Sequence, residues 1–264
     1  MKRNRTGAPR LRFAVIGANH GHIHGMVHAA EQGGGELVSY FASEPELADE
    51  FARRHPSAAR ARDERELLED PSIQLVLSAA IPDERAPLGV RVMRHGKDYM
   101  VDKPGAVSLA QLAEFDQFLF FTGSARAEVV ASQVRNAAHP GRPTFEDVGD
   151  AMLRGDGGTG YVRVDWLTPA GLPTWGDTRL TVLGTAGYIE VRKNVDIGGR
   201  DGANHLIVAD TDGVRRVDCG GGELPYGGQL VDDVLHRTAT AMPQAHCFLA
   251  TELALRAQAQ ARRA

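Results

Sequence analysis

Cysteine is scarce in this sequence: only Cys219 and Cys247 occur among its 264 residues, and no CxxC pair is present. Two cysteines are too few for a disulfide framework, which favours a reducing compartment and predicts a cytoplasmic protein. An excess of basic residues is also missing, because 30 Lys and Arg face 34 Asp and Glu and the formal net charge is −4. This charge argues against a nucleic-acid partner, which needs a basic surface to contact phosphates.

Long hydrophobic runs are missing as well. The N-terminus is basic, and the apolar stretch that starts at Leu11 contains Arg12 and ends at Asn19. A membrane helix needs about 20 apolar residues, so the sequence predicts no signal peptide, no membrane span and no membrane partner. The 42% of hydrophobic and 24% of charged residues are typical of a folded protein. The length suits one large domain or two modest ones.

The first half of the chain alternates short apolar runs with amphipathic segments. Such continuous apolar strands, separated by helices, predict a Rossmann-like parallel sheet that is covered on both faces. The predicted strands are Leu11–Gly17, Glu36–Phe41, Ile73–Ala80 and Asp98–Val101. The predicted helices run from near Gly21 to Glu31, over Pro45–Arg54 and over Ala86–Arg94, with Pro87 in the first turn of the last.

The second half contains strand-like runs joined by Gly- and Asp-rich turns, which predicts an α+β domain with a mostly antiparallel sheet. Its predicted strands are Ala127–Val134, Asp150–Leu153, Tyr161–Leu167, Arg179–Leu183, Tyr188–Arg192, Leu206–Ala209 and Val214–Asp218. Two helices follow, over Leu230–Met242 and Cys247–Arg262. We place the domain boundary near Phe115, which gives a dinucleotide-binding domain over residues 10–115 and a substrate and oligomerisation domain over 116–264.

A glycine-containing loop follows the first strand in the segment RFAVIGANHGHIHG. A helix that starts in this loop offers backbone N–H groups and a positive dipole end to a pyrophosphate. The loop departs from GxGxxG, because Asn19 and His22 occupy the expected glycine positions, although asparagine tolerates left-handed backbone angles. Gly17, Asn19, His20 and Gly21 are therefore the predicted contacts to NAD or NADP; a glycine-lined turn without a ligand is the alternative.

The end of the second strand carries the predicted ribose contacts, Ser43 and Glu44. A carboxylate at this point binds the adenosine ribose in NAD-dependent proteins, whereas a hydroxyl can face the 2′-phosphate of NADP. Both residues can instead cap the helix that starts at Pro45. The sequence thus leaves the choice between NAD and NADP open.

Residues 73–104, IQLVLSAAIPDERAPLGVRVMRHGKDYMVDKP, resemble the hallmark segment of the Gfo/Idh/MocA oxidoreductases. Further similarity follows in order at DQFLFFTG (116–123) and GTAGYIEV (184–191). The resemblance implies NAD(P)-dependent hydride transfer to or from a secondary alcohol or ketone of a sugar or cyclitol. It also implies a homodimer or homotetramer, with an open sheet face near Tyr161–Leu167 as the contact.

The resemblance assigns roles to individual residues. Lys103 falls at the position of the proton-transferring lysine, and Asp116 matches the aspartate of a His-x-x-Asp motif that positions the substrate hydroxyl. Ala80, Arg85 and Asp102 are the implied cofactor contacts in this segment. Lys103 precedes Pro104, which holds it extended at the carboxyl end of a strand, where parallel sheets bind ligands. A surface lysine at a strand end is the alternative interpretation.

The chain departs from the family pattern after Lys103. The motif's histidine position holds Ala113, and a strand–helix–strand unit of roughly 30 residues or more is missing, as after an internal deletion. A helix over Ser108–Phe115 is predicted to run directly into the aspartate-bearing segment. His139 and His246 are candidates to replace the histidine. The competing hypothesis is a non-catalytic dinucleotide- or sugar-binding relative with a structural or regulatory role.

A histidine pair and a loop tryptophan are two further candidate ligand contacts. His24 and His28 have the i, i+4 spacing of a zinc pair, but no cysteine or acid nearby completes the set, so we predict no metal. Trp175, in the loop after the strand at Tyr161–Leu167, is either a sugar-stacking ring or a packed loop aromatic.

Overall fold

A computed structural model describes residues 11–103 and 112–263; the basic residues 1–10 lie outside the described part. The first unit is a parallel five-stranded sheet with strand order β3-β2-β1-β4-β5. Its strands are β1 (Leu11–Ile16), β2 (Gly35–Phe41), β3 (Ala59–Arg60), β4 (Leu75–Ser78) and β5 (Asp98–Val101). This confirms the predicted Rossmann-like sheet, although β4 is shorter than the predicted Ile73–Ala80 strand. The strand order reverses between β1 and β4, which opens a ligand crevice at their carboxyl ends.

Helices cover both faces of this sheet. They are α1 (His22–Gln32), α2 (Pro45–Arg54), α3 (Glu64–Glu69) and α4 (Pro82–Arg94). Phe13 and Val15 pack with α1 and α2, whereas Ala14 and Ile16 pack with α3 and α4. Both sides of β1 are therefore buried, which explains its continuous apolar sequence.

The predicted start of α4 at Ala86 is wrong, because the helix begins one turn earlier. Pro82 occupies its first position, where the missing N–H costs no hydrogen bond. Pro87 consequently lies inside the helix and not in its first turn. The early start places Arg85 in the first turn, near the carboxyl end of β4.

The second half forms two antiparallel sheets, not one. Strand orders are β13-β6-β7-β8 and β12-β11-β10-β9, and only the short β13 pairs in parallel. Prolines and glycines in the segment 166–177 end β8 and separate it from β9. The strands are β6 (Ala127–Arg135), β7 (Val148–Gly155), β8 (Thr159–Asp165), β9 (Thr178–Gly184), β10 (Gly187–Lys193), β11 (His205–Asp210), β12 (Gly213–Val217) and β13 (Arg262–Arg263).

The predicted helix Ser108–Phe115 is wrong at its end. Its start at Ser108 lies outside the described residues, and helix α5 spans Leu112–Thr122, so the segment DQFLFF is helical. Phe115, Phe118 and Leu119 are buried at i, i+3 and i+4 and pack against β7, β8 and α7 (Gln244–Gln260). These three residues therefore form the buried stripe of a helix, whereas Phe120 and Phe121 are 72% and 42% exposed.

Helix α6 spans Tyr226–His236 and packs on the first sheet, not on the second. Val231 and Val234 join the core around Phe13, and a Cβ added at Gly33 of the α1 end would collide with the backbone of Gly227. The predicted end at Met242 is wrong, because Arg237 adopts a left-handed conformation and ends the helix. The boundary at residues 115 and 116 stays a prediction, but the first core extends across it.

Candidate functional site

Gly17 joins the ends of three strands at the carboxyl edge of the parallel sheet. Its N–H donates to the Phe41 carbonyl at 2.9 Å and its carbonyl accepts from Ala79 at 3.0 Å. Its φ is +79°, and an added Cβ would lie 2.6 Å from the Cβ of Ala80. Only glycine fits this turn without strain. The predicted contacts Gly17 and Ala80 therefore lie against each other.

The turn leads into the N-terminus of α1. Within the described part of the chain, the backbone N–H groups of residues 18–21 have no hydrogen-bond acceptor. A Cβ added at Gly21 would meet no described atom within 4 Å other than those of the adjoining residues, so this side of the loop is open. Unpaired amides at a helix N-terminus bind anions, and the loop therefore fits the pyrophosphate of a dinucleotide.

Asn19, Ser43 and Glu44 form a connected group at the end of β2. Asn19 Nδ2 donates to Glu44 Oε1 at 2.9 Å, and Ser43 Oγ donates to Glu44 Oε2 at 2.8 Å. These hydrogen bonds, that from Ser43 above all, lower the pKa of the Glu44 carboxyl. Glu44 is the N-cap residue of α2, but its side chain makes no capping hydrogen bond. The carboxylate faces the glycine loop instead.

A pocket of about 310 Å³ adjoins this group at the ends of β2 and β3. It is lined by Phe41, Ala42, Ser43, Arg60, Ala61 and Arg62. Its position beside Glu44 suits the adenosine half of a dinucleotide bound with its pyrophosphate at Gly21.

Arg85 ties the ends of β4 and β5 together. Its side chain is buried, with the residue only 3% exposed. Its Nε donates to the Ala80 carbonyl at 2.6 Å, and its guanidinium also donates to the carbonyls of Asp102 and Lys103. Arg85 therefore holds the segment that carries Lys103 against the end of β4.

Asp102 connects this network to the glycine loop. Its Oδ2 lies 3.4 Å from the Arg85 guanidinium, and its Oδ1 lies 2.9 Å from Nδ1 of His22. His20 Nδ1 lies 3.6 Å from the same carboxylate. His22 was not among the predicted site residues, because its partner is 80 positions away and no local pattern relates the two.

The ligand atoms of His20, His22 and Asp102 lie within 4.8 Å of one another, a separation that a metal ion could bridge. The surroundings favour an anion, since the α1 N-terminus is electropositive and Arg85 already neutralises Asp102. His24 does not pair with His28; its Nδ1 lies 2.9 Å from Nε2 of His55, at the end of α2. Burial lowers the pKa of both His24 and His55.

Lys103 lies just past the end of β5, at the same sheet edge as Gly17. Its side chain is exposed, and its carbonyl is bound by the buried Arg85. The N–H of Asp102 continues the strand pairing by donating to the Ser78 carbonyl at 2.8 Å. The backbone at Lys103 is thus held in place at this sheet edge while its side chain is exposed.

Asp116 lies in the second turn of α5, with a histidine as its partner. Nε2 of His246, from the first turn of α7, lies 2.5 Å from Asp116 Oδ1. His139, the other histidine considered, lies 2.7 Å from the buried Asp147. The amide of Ala137 is the main cause that lowers the pKa of Asp147 to about 2.

Residues 11–120 match the sequence model of an oxidoreductase family with an NAD-binding Rossmann fold, Gfo/Idh/MocA. A candidate oxidoreductase from Erwinia carotovora atroseptica is 34% identical, with a TM-score of 0.90, over 96% of this chain and 99% of that chain. Comparison with curated protein sequences finds no match.

Two more distant structures share the fold. An oxidoreductase from Agrobacterium radiobacter, in complex with NAD+, L-tartaric acid and magnesium, is 16% identical with a TM-score of 0.70 over 96% of both chains. A UDP-N-acetylglucosamine 3-dehydrogenase from Acidithiobacillus ferrooxidans is 13% identical with a TM-score of 0.72, over 95% of this chain and 97% of that chain. Across residues 11–103 and 112–263, no helix has the length and hydrophobicity to cross a membrane.

Proposed function

The chain belongs to the Gfo/Idh/MocA family of NAD(P)-binding oxidoreductases, and we propose that it transfers a hydride between the nicotinamide and a secondary alcohol or ketone of a sugar or cyclitol. The observation that carries this proposal is the common position of the anion-binding loop and Lys103 at one sheet edge. Gly17 and the buried Arg85 fix the two segments relative to the sheet. The sugar nucleotide in the name of the Acidithiobacillus relative supports this substrate class.

The proposed roles follow the position of each group. The amides of residues 18–21 bind the pyrophosphate, and Glu44 accepts hydrogen bonds from the adenosine ribose. A bound nicotinamide would accept the hydride. Lys103 accepts the hydroxyl proton as the carbinol hydrogen leaves as hydride, and it returns the proton in the reverse direction.

Titration with NADH and NADPH, followed by nicotinamide fluorescence, tests the cofactor part of this proposal. A panel of cyclitols and aldoses, assayed by nicotinamide absorbance, tests the reaction. We expect saturable binding of at least one nucleotide and turnover with at least one polyol. Absence of nucleotide binding would contradict the function as a whole.

One observation favours a non-catalytic relative as the second candidate. Position 113, which corresponds to the histidine of the His-x-x-Asp motif, is alanine. A chain without this histidine orients its substrate less well, and good orientation lowers the activation barrier by several kcal/mol. Nucleotide binding without turnover on the whole panel would favour this second candidate.

The Glu44 carboxylate supports a preference for NAD. A glutamate is ionised near neutral pH, and its hydrogen bonds with Ser43 and Asn19 lower the pKa of Glu44 further, so the carboxylate repels a 2′-phosphate. We expect NADH to bind roughly 10- to 100-fold more tightly than NADPH. Glu44→Gln should narrow this ratio, whereas Glu46→Gln, an exposed acid in the first turn of α2, should leave it unchanged. Tighter binding of NADPH by the wild-type protein would refute the assignment.

The sheet β9–β12 supports the proposed homo-oligomer. Strand pairing aligns apolar side chains in two rows on one face, and none of them belongs to a buried core cluster. The rows are Leu180, Val191, Leu206 and Val217, and Val182, Ile189 and Val208. The outer face of β8 is also open, since Tyr161 is 61% exposed while Val162 is 7% exposed. A second copy of the chain would cover such apolar faces.

Light scattering should give at least twice the mass of one chain at micromolar concentration. Ile189→Asp places a charge in the centre of the apolar face and should shift the mass towards that of one chain. Thr181→Asp, on the opposite face of the same sheet, is the matched control and should not. A wild-type monomer under these conditions would exclude the proposed assembly.

A further inference from the structure

Four side chains with titratable groups, on α5, α6 and α7, interact at and near the contact between α5 and α7. They are Asp116 on α5, Tyr226 at the start of α6, and His246 and Cys247 in the first turn of α7. The His246–Asp116 pair joins residues 130 positions apart at 2.5 Å. Burial, and next the Asp116 carboxylate, raise the pKa of the Cys247 thiol. Burial, and next Cys247, raise the pKa of the Tyr226 hydroxyl. Cys247 therefore links Tyr226 electrostatically to the His246–Asp116 pair.

The cluster adjoins the strand that leads to Lys103. Tyr226 Oη donates to the Met100 sulfur on β5, at 3.9 Å. Helix α5, which bears Asp116, is the next described element after Lys103. The contact of Tyr226 with Met100 thus joins this cluster to the strand that ends just before Lys103.

The hydrogen bond between His246 and Asp116 determines which ring nitrogen of His246 is left to bind another group. An ionised carboxylate only accepts, so Nε2 of His246 carries the proton that Asp116 binds. In the neutral ring, Nδ1 then remains as an acceptor for an O–H group. The His246 side chain is 21% exposed, which leaves part of the ring accessible from solvent.

We propose that His246, held by Asp116, binds a hydroxyl of the polyol substrate through Nδ1 and orients the reacting carbon towards the nicotinamide. The histidine of α7 thereby supplies the group that position 113 lacks. His246 is a substrate-positioning residue and Asp116 sets its orientation. Lys103 remains the group that receives the proton, so one hydride and one proton leave the alcohol as its carbonyl forms. This inference rests on the proposed oxidoreductase function.

The test uses the full chain in complex with NADH, with myo-inositol and glucose as probes. Nitrogen-15 spectra of labelled histidine report which ring nitrogen is protonated and whether a probe contacts it. We expect the His246 signals of the wild type to show the Nε2–H form and to shift when one of the probes is added. His246→Gln should lower the affinity for that probe roughly 10- to 100-fold, with NADH affinity unchanged within about twofold.

Two matched variants separate positioning from general damage. His236→Gln, an exposed histidine on α6, should leave both affinities unchanged. Asp116→Asn keeps the size of the side chain and should weaken probe binding less than His246→Gln does. Where turnover is measured, Asp116→Asn should raise KM by a larger factor than the factor by which it lowers kcat.

The outcomes distinguish this inference from the proposed function. A wild-type chain that fails to bind NADH overturns the proposed function. Normal NADH binding together with His246 signals that neither probe shifts overturns the role of His246. Equal probe affinity in the wild type and in His246→Gln also overturns it, even if turnover is observed.

Discussion

Lys103→Ala should lower kcat by roughly 10²–10⁴-fold, with little change in NADH affinity. The loss follows because no amine remains to accept the hydroxyl proton when the hydride leaves. The fold should be preserved, because the side chain is exposed and only its backbone carbonyl takes part in the Arg85 network. The measurement is steady-state turnover on the most active polyol, with nucleotide fluorescence in parallel.

Two other lysine variants give the controls for this experiment. Lys193→Ala removes an exposed lysine on β10 and should leave kcat unchanged. Lys103→Arg keeps the positive charge, but a guanidinium does not release its proton near neutral pH, so it should not restore turnover. Robust turnover in Lys103→Ala would show that another group moves the proton.

Gly21→Val should weaken dinucleotide binding by at least about 100-fold while the chain stays folded. Within the described residues, no atom beyond the adjoining residues lies within 4 Å of an added Cβ at this position, so the branched side chain would occupy the space proposed for the pyrophosphate. Gly25→Ala, inside α1 and equally open, is the control and should bind normally. Fluorescence titration and circular dichroism measure the two properties separately.

Gly17→Val should lose nucleotide binding for a different reason. The residue has φ +79°, and a side chain there would collide with Ala80, so both the strand junction and nucleotide binding should be lost. Normal affinity in a folded Gly21→Val protein would show that the pyrophosphate does not lie at this loop.

Sequence patterns predicted the bounds of those strands and helices whose ends depend on neighbouring residues. Strand β5 and helix α2 have the predicted bounds, because Pro45 starts the helix and Phe51 lies on its single buried face. Prediction failed where packing partners are distant in sequence. The end of α6 lies at a left-handed Arg237 whose guanidinium pairs with Asp98, 139 positions away, and the separation of the two antiparallel sheets depends on strand partners that no local pattern specifies.

The residues of the candidate site likewise fall into those that local patterns predict and those that distant partners position. The order of strand, glycine loop and helix predicts Gly17, Gly21 and Glu44, which are neighbours along a short segment and its adjoining strand. The positions of His22 and His246 follow from carboxylates 80 and 130 residues away. Sequence reasoning named His246 as one of two replacements for the missing histidine, but only the meeting of α5 and α7 distinguishes it from His139.

The packing of α6 on the first sheet has a consequence for synthesis on the ribosome. The sheet strands are complete at Val101, but Val231 and Val234 enter its core only after the chain has grown to the end of α6 at His236. At the usual 5–20 residues per second this interval lasts on the order of 10 s. During that time the apolar side chains of α1 and β1 that pack with Val231 and Val234 stay uncovered in the nascent N-terminal half. This interval gives chaperones that bind hydrophobic segments a surface on which to act.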